Sequence, residues 1–219
     1  AFGIDLAYVP TEVAVWRFGS YPASGLMPLV IAESPNINSG WATSPPIIDG
    51  SFSSGEWDAA GTQALSIDIP AGEGNVSVDG NLYVMNDATN LYIAIVFLGP
   101  SDVNSGSVIL FDDTNDGSSI AGDDMIQIFN PDESTATFLD AYVNSTWPSC
   151  IGEGGMWDCV EDDPIQNGYG LLQSDGTQTV YECVHPLADD LNFNDLGRSP
   201  GDNIGYNLSV FVLDEDANM

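Results

Sequence analysis

The chain is written in short runs of alternating apolar residues, and no stretch sustains the 3.6-residue period of a helix. From Ile47 onward these runs are broken by Gly, Asn, Asp and Pro about every eight to twelve residues, the rhythm of a sandwich or barrel. Ser66–Ile69, Asn81–Met85, Leu91–Phe97, Ser107–Phe111, Met125–Phe129, Thr179–Val184 and Tyr206–Leu213 are the predicted strands. Asn86-Asp-Ala-Thr-Asn90 lies between two of them and tolerates left-handed backbone, which predicts a hairpin. The expected fold is all-β, an antiparallel β-sandwich of jelly-roll or immunoglobulin-like type. Residues 1–45 read differently. Ile4, Leu6, Tyr8, Val13, Val15, Trp16 and Phe18 alternate roughly at strand period and are followed by Pro- and Gly-punctuated chain. A strand-forming apolar arm (1–45) ahead of a sandwich domain (46–219) is the expected organisation.

Charge narrows the function. Arg17 and Arg198 are the only basic side chains besides His185, against 33 acidic residues, for a net charge of -31. Phosphate backbones are bound by clustered Lys and Arg, so nucleic acid is excluded as a partner, and anionic membrane surfaces likewise. The longest apolar run, Leu91–Leu98, is far below the roughly 18 residues of a membrane span. So much like charge on a compact body repels itself unless salt screens it or bound cations neutralise it.

The acids cluster where a metal would want them. Counting from Asp112, oxygens fall at positions 1, 3 and 5 (Asp112, Thr114, Asp116), a glycine at 6 (Gly117) and a carboxylate at 12 (Asp123), with Ser118 and Asp124 adding further oxygens. Alternate residues of a tight loop converge on one centre, and calcium takes six to eight oxygens at flexible angles. Thr at position 3, Asp at 12 and strands on both flanks make this a calcium loop without the EF-hand's helices. Calcium is the expected cofactor.

Cys150 and Cys159 bracket a Gly-rich loop that a small disulfide ring would rigidify, with Cys183 left buried or intermolecular. The chain starts at Ala1 and carries three N-x-[ST] sequons at Asn75, Asn144 and Asn207. Together these set an expectation of a processed, extracellular or cell-surface chain. No nucleophile elbow, Cys/His constellation or phosphate loop accompanies the lone His185, and no pair among so many carboxylates singles itself out, so no enzymatic activity is expected.

Several segments, in order, resemble the secreted modules grouped as carbohydrate-binding family nine and their DOMON-like relatives. Ile48-Asp-Gly-Ser-Phe-Ser-Ser-Gly-Glu-Trp57 is similar to their opening "IDG…EW" strand, and Leu82–Ile95 to their recurrent hairpin. Glu182 with Pro186-Leu187 and the run from Pro200 are similar to their closing strands. The resemblance implies a sandwich with structural calcium at Asp112–Asp124. The sugar-clamping tryptophans of the family have no residue-by-residue match, and Trp147 and Trp157 are the nearest candidates for holding a polysaccharide. Two functions remain as expectations. One is a calcium-binding subunit of an extracellular filament, tube or surface layer, a homo-polymer joined by donation of the N-terminal strand. The other is a carbohydrate-binding module.

Overall fold

The computed structural model describes residues 5–8, 26–27, 36–71, 74–98, 105–112, 122–129, 137–143, 160–162, 167–188 and 196–212. These residues contain fourteen strands and no helix. They are β1 (Asp5–Tyr8), β2 (Leu26–Met27), β3 (Asn36–Asn38), β4 (Gly40–Trp41), β5 (Gly61–Ala71), β6 (Gly74–Asn86), β7 (Asn90–Leu98), β8 (Ser105–Asp112), β9 (Asp124–Phe129), β10 (Thr137–Val143), β11 (Val160–Asp162), β12 (Tyr169–Ser174), β13 (Gln178–Pro186) and β14 (Asn203–Val212). One sheet runs β11-β10-β9-β8-β14-β1-β3, with β2 also on β14; the other runs β12-β13-β7-β6-β4, with β5 also on β6. All seven predicted strands from Ser66 onward are present. The short β3, β4 and β11, together with β10 and β12, carry too little apolar alternation to stand out.

The two sheets close on one hydrophobic interior. Leu82, Val84, Ile93, Ile95, Tyr181 and Cys183 from one face Ile109, Phe111, Ile126, Ile128, Ile204 and Tyr206 from the other. A second cluster lies on the opposite face of β6 and β7, where Met85, Tyr92 and Ala94 pack against Ala42 and Trp57. β7 is therefore buried on both faces, which is why its sequence is an uninterrupted apolar run rather than an alternation. The segment 42–60 forms a cap over this outer face.

The chain crosses from one sheet to the other within a few residues. Ile37 of β3 enters the interior, while Gly40 and Trp41 pair in parallel with Met85 and Asn86 of β6. A Cβ at Gly40 would lie 1.5 Å from the carbonyl oxygen of Ala59, so the crossing needs glycine there. Ser39, between the two strands, donates its hydroxyl to Oδ1 of Asn86.

Two hairpins use one turn chemistry. Asp87 Oδ1 accepts from the N–H groups of Thr89 and Asn90 and from the Thr89 hydroxyl. Asp175 Oδ1 does the same for Thr177 and Gln178 in the β12–β13 turn. An Asx side chain thus substitutes for a backbone acceptor at both tips.

Candidate functional site

Glu182 is the most fully built polar feature. It sits mid-strand in β13 on the face that meets the cap and is completely buried. Its Oε2 accepts from the backbone N–H of Asp49 (3.1 Å) and Gly50 (2.8 Å), and its Oε1 from the indole N–H of Trp57 (3.1 Å). Burial pushes this carboxyl above its ordinary pKa, against the pull of the three donors. Gly50 adopts φ +78°, and a Cβ there would come 2.7 Å from the Gln173 side chain, so the backbone can approach Glu182 only as glycine. Phe52 stacks on Trp57 at 6.4 Å and meets Tyr83 at 4.5 Å. The "IDG…EW" segment is in this way a clasp: its turn and its tryptophan close on one buried acid. Charge inside an otherwise apolar strand, Tyr181-Glu-Cys-Val, was the available signal for Glu182.

On the opposite face of β13, Cys183 and His185 point into the interior. Burial pushes the Cys183 thiol up to about 12 and lowers the His185 pKa to about 4. His185 Nε2 lies 3.8 Å from Asp140 Oδ1 of β10, with both side chains buried, and its ring meets Phe111 edge-on at 6.1 Å. That approach would be an ion pair only for a protonated imidazole; a ring so deeply desolvated is neutral at neutral pH, and neither ring nitrogen has a hydrogen-bond partner among the described residues. Cys183, enclosed among core residues, has no surface from which to reach another subunit.

At one end of the first sheet, Asp112 closes β8 and Asp123 and Asp124 lead into β9. β8 and β9 pair antiparallel, and these three aspartates at their ends are buried. Thr114, Asp116 and Ser118 lie outside the described residues. Among the described residues no group of three or more His, Cys, Asp or Glu side chains is arranged to hold a metal. The carboxylates of Asp112, Asp123 and Asp124 are hard oxygen donors of the kind calcium takes.

The N-terminal arm contributes β1 to the chain's own sheet. Asp5, Leu6, Ala7 and Tyr8 pair in parallel with Asn203, Ile204, Gly205 and Tyr206 of β14. On its other side β1 pairs antiparallel with β3, Leu6 opposite Ile37. Leu6 therefore occupies the row between two buried core residues, Ile204 and Ile37. β1 is an inner strand filling a slot one strand wide. Farther along the same edge of β14, Met27 and Leu26 of β2 pair antiparallel with Val210 and Phe211.

The remaining expectations divide between the two kinds of residue. Asn75 pairs with Pro70 near the β5–β6 turn and Asn207 with Leu110 within the first sheet. Ile4, Val13, Val15, Trp16, Phe18, Asn144, Trp147, Cys150, Trp157 and Cys159 lie outside the described residues. No helix is long and apolar enough to cross a membrane among the described residues. Comparison with protein-family models, curated proteins and solved structures gave no match.

Proposed function

We propose that the protein is a calcium-binding structural subunit of an extracellular filament, tube or surface layer, built on a jelly-roll or immunoglobulin-like sandwich and joined to its neighbours by the N-terminal strand. The observation that carries this reading is the slot between β14 and β3. It is one strand wide, lined by core residues Ile204 and Ile37, and filled by β1. A β14 edge left uncovered is a template for any matching strand, and the matching strand is present in every copy of this chain. Head-to-tail exchange between copies is heterologous, and it gives a fibre where the rotation between neighbours does not close a ring.

Calcium suits the same reading. The chain has two arginines against 33 acids, and buried carboxylates are stable when paired or bound to a cation. Deleting residues 1–8 should abolish polymers in electron micrographs and in sedimentation, while circular dichroism retains the β signal. Polymerisation by the truncated chain would sink the proposal. Chelation of calcium should lower the unfolding free energy by about 2.7 kcal/mol when the ion was at 100 times its Kd, and the unfolding midpoint with it. An unchanged midpoint, together with no calorimetric heat of calcium binding, removes the metal from the reading.

A further inference from the structure

We infer that only β1 passes between copies, while β2 stays on its own β14 as a fixed clamp; this rests on the strand-donation reading above. The edge of β14 is covered in two pieces that run in opposite directions. β1 covers Asn203–Tyr206 in parallel, and β2 covers Val210–Phe211 antiparallel. The two pieces are tethered very differently.

β2 is held close to the domain. Residues 28–35 join it to β3, and at about 3.4 Å per residue they reach roughly 27 Å at most. β3 and β4 are in turn pinned to both sheets, through Ile37 in the interior and through Gly40 and Trp41 on β6. β2 also lies against β5 of the second sheet, so it touches both layers. A detached β2 would therefore remain at high effective concentration beside its own site and re-pair there.

β1 has a longer leash. Residues 9–25 separate it from β2 and could span roughly 58 Å when extended. A folded chain of this length has a radius of gyration of about 17 Å, so that leash can carry β1 into the slot of an adjoining subunit with β2 still in place. Both walls of the slot stay behind when β1 leaves, because β14 is paired to β8 and β3 is anchored by Ile37. The acceptor is thus preformed, and the occupant we infer for it is a second copy's β1, in the register that sets Leu6 opposite Ile204 and Ala7 opposite Gly205.

Paired cysteines at the registered positions separate the alternatives. Monomers of Asp5→Cys/Asn203→Cys, oxidised before assembly, hold β1 at home and should lose at least tenfold in pelletable polymer, with recovery on reduction. Monomers of Met27→Cys/Val210→Cys, oxidised likewise, should assemble as the wild type does. In mixed assemblies of single variants, Asp5→Cys with Asn203→Cys should give an intermolecular disulfide, and Met27→Cys with Val210→Cys should give none. If the β2 lock stops assembly, or the Met27/Val210 mixture crosslinks between chains, the whole arm travels and the inference fails while donation stands. If the β1 lock leaves assembly intact, donation itself is wrong.

Discussion

The cap and the arm are both short segments that shelter a sheet, yet they are held by opposite means. The cap lies on a face and is fixed by side chains: Trp57 is buried, Phe52 stacks on it, and Glu182 takes three hydrogen bonds from Asp49, Gly50 and Trp57. The β1 strand lies within a sheet and is fixed by backbone pairing with β14 on one side and β3 on the other. Covering a face needs a specific shape and a specific set of donors. Pairing along a backbone needs only a strand, which is why the proposed exchange between copies involves β1 and not the cap.

The strongest way to break this contrast is to remove the acid at the cap's centre. Glu182→Ala leaves the Trp57 indole N–H and the Gly50 N–H buried, and the Asp49 N–H half-buried, without their acceptor, which costs roughly 3 kcal/mol. Urea unfolding should show this as a lower midpoint, with a larger loss than deletion of residues 1–8 produces. Polymers should still form wherever the variant stays folded. A loss smaller than that of the arm deletion would mean the cap is not fixed by Glu182.

How far the sequence could foretell these two regions follows from what each depends on. The strands around Leu91–Phe97 and Met125–Phe129 were legible because period-2 apolar patterning is local. So was the Asn86–Asn90 turn, since Asp87 bonds residues two and three positions on. Glu182 was not, because its partners lie about 130 residues away and no local pattern reports them. Its place within the closing strands of a family-like pattern marked it without explaining it. The stretch around Leu6 and Tyr8 was legible as strand-patterned but not as to its place, since Leu6 between Ile204 and Ile37 is a matter of register across distant segments. Asp112, Asp123 and Asp124 were legible as an acidic cluster between two strands, whereas the Asp140–His185 approach joins two strands that share no motif.

His185 separates the interior from the cap, since it lies on β13 three residues beyond Glu182 and faces the other way. The unfolded chain takes up a proton at the ordinary histidine pKa of 6.5, and the folded chain only near 4. Between those values the unfolded state binds more protons, so stability should fall as pH drops from 6.5 towards 4, by roughly 3 kcal/mol. Glu182 works in the opposite sense, because its folded pKa is raised: just above 4.5 the folded state holds the extra proton, and stability falls as pH rises. His185→Gln should flatten the histidine limb and leave the Glu182 contribution. Since His185 is the only histidine, an unflattened limb in urea melts at pH 6.5, 5.5 and 4.5 would place the sensitivity elsewhere.

The two Asx turns give the finest test of how far the cap's influence extends. Asp87 does more than close its hairpin: its Oδ2 accepts the hydroxyl of Tyr92 at 2.6 Å, and Tyr92 belongs to the cluster beneath the cap. Ala42, at the cap's start, donates its N–H to the carbonyl of Asn86 in the same corner. Asp175 closes a turn of the same chemistry on the exposed β12–β13 tip, with its bonds confined to Thr177 and Gln178. Asp87→Ala should therefore cost about 1 kcal/mol and speed amide exchange at Ala42. Asp175→Ala should move neither measurement as far. Equal losses from the two would show that turn chemistry alone sets the cost and that the cap gains nothing from the corner at Asp87.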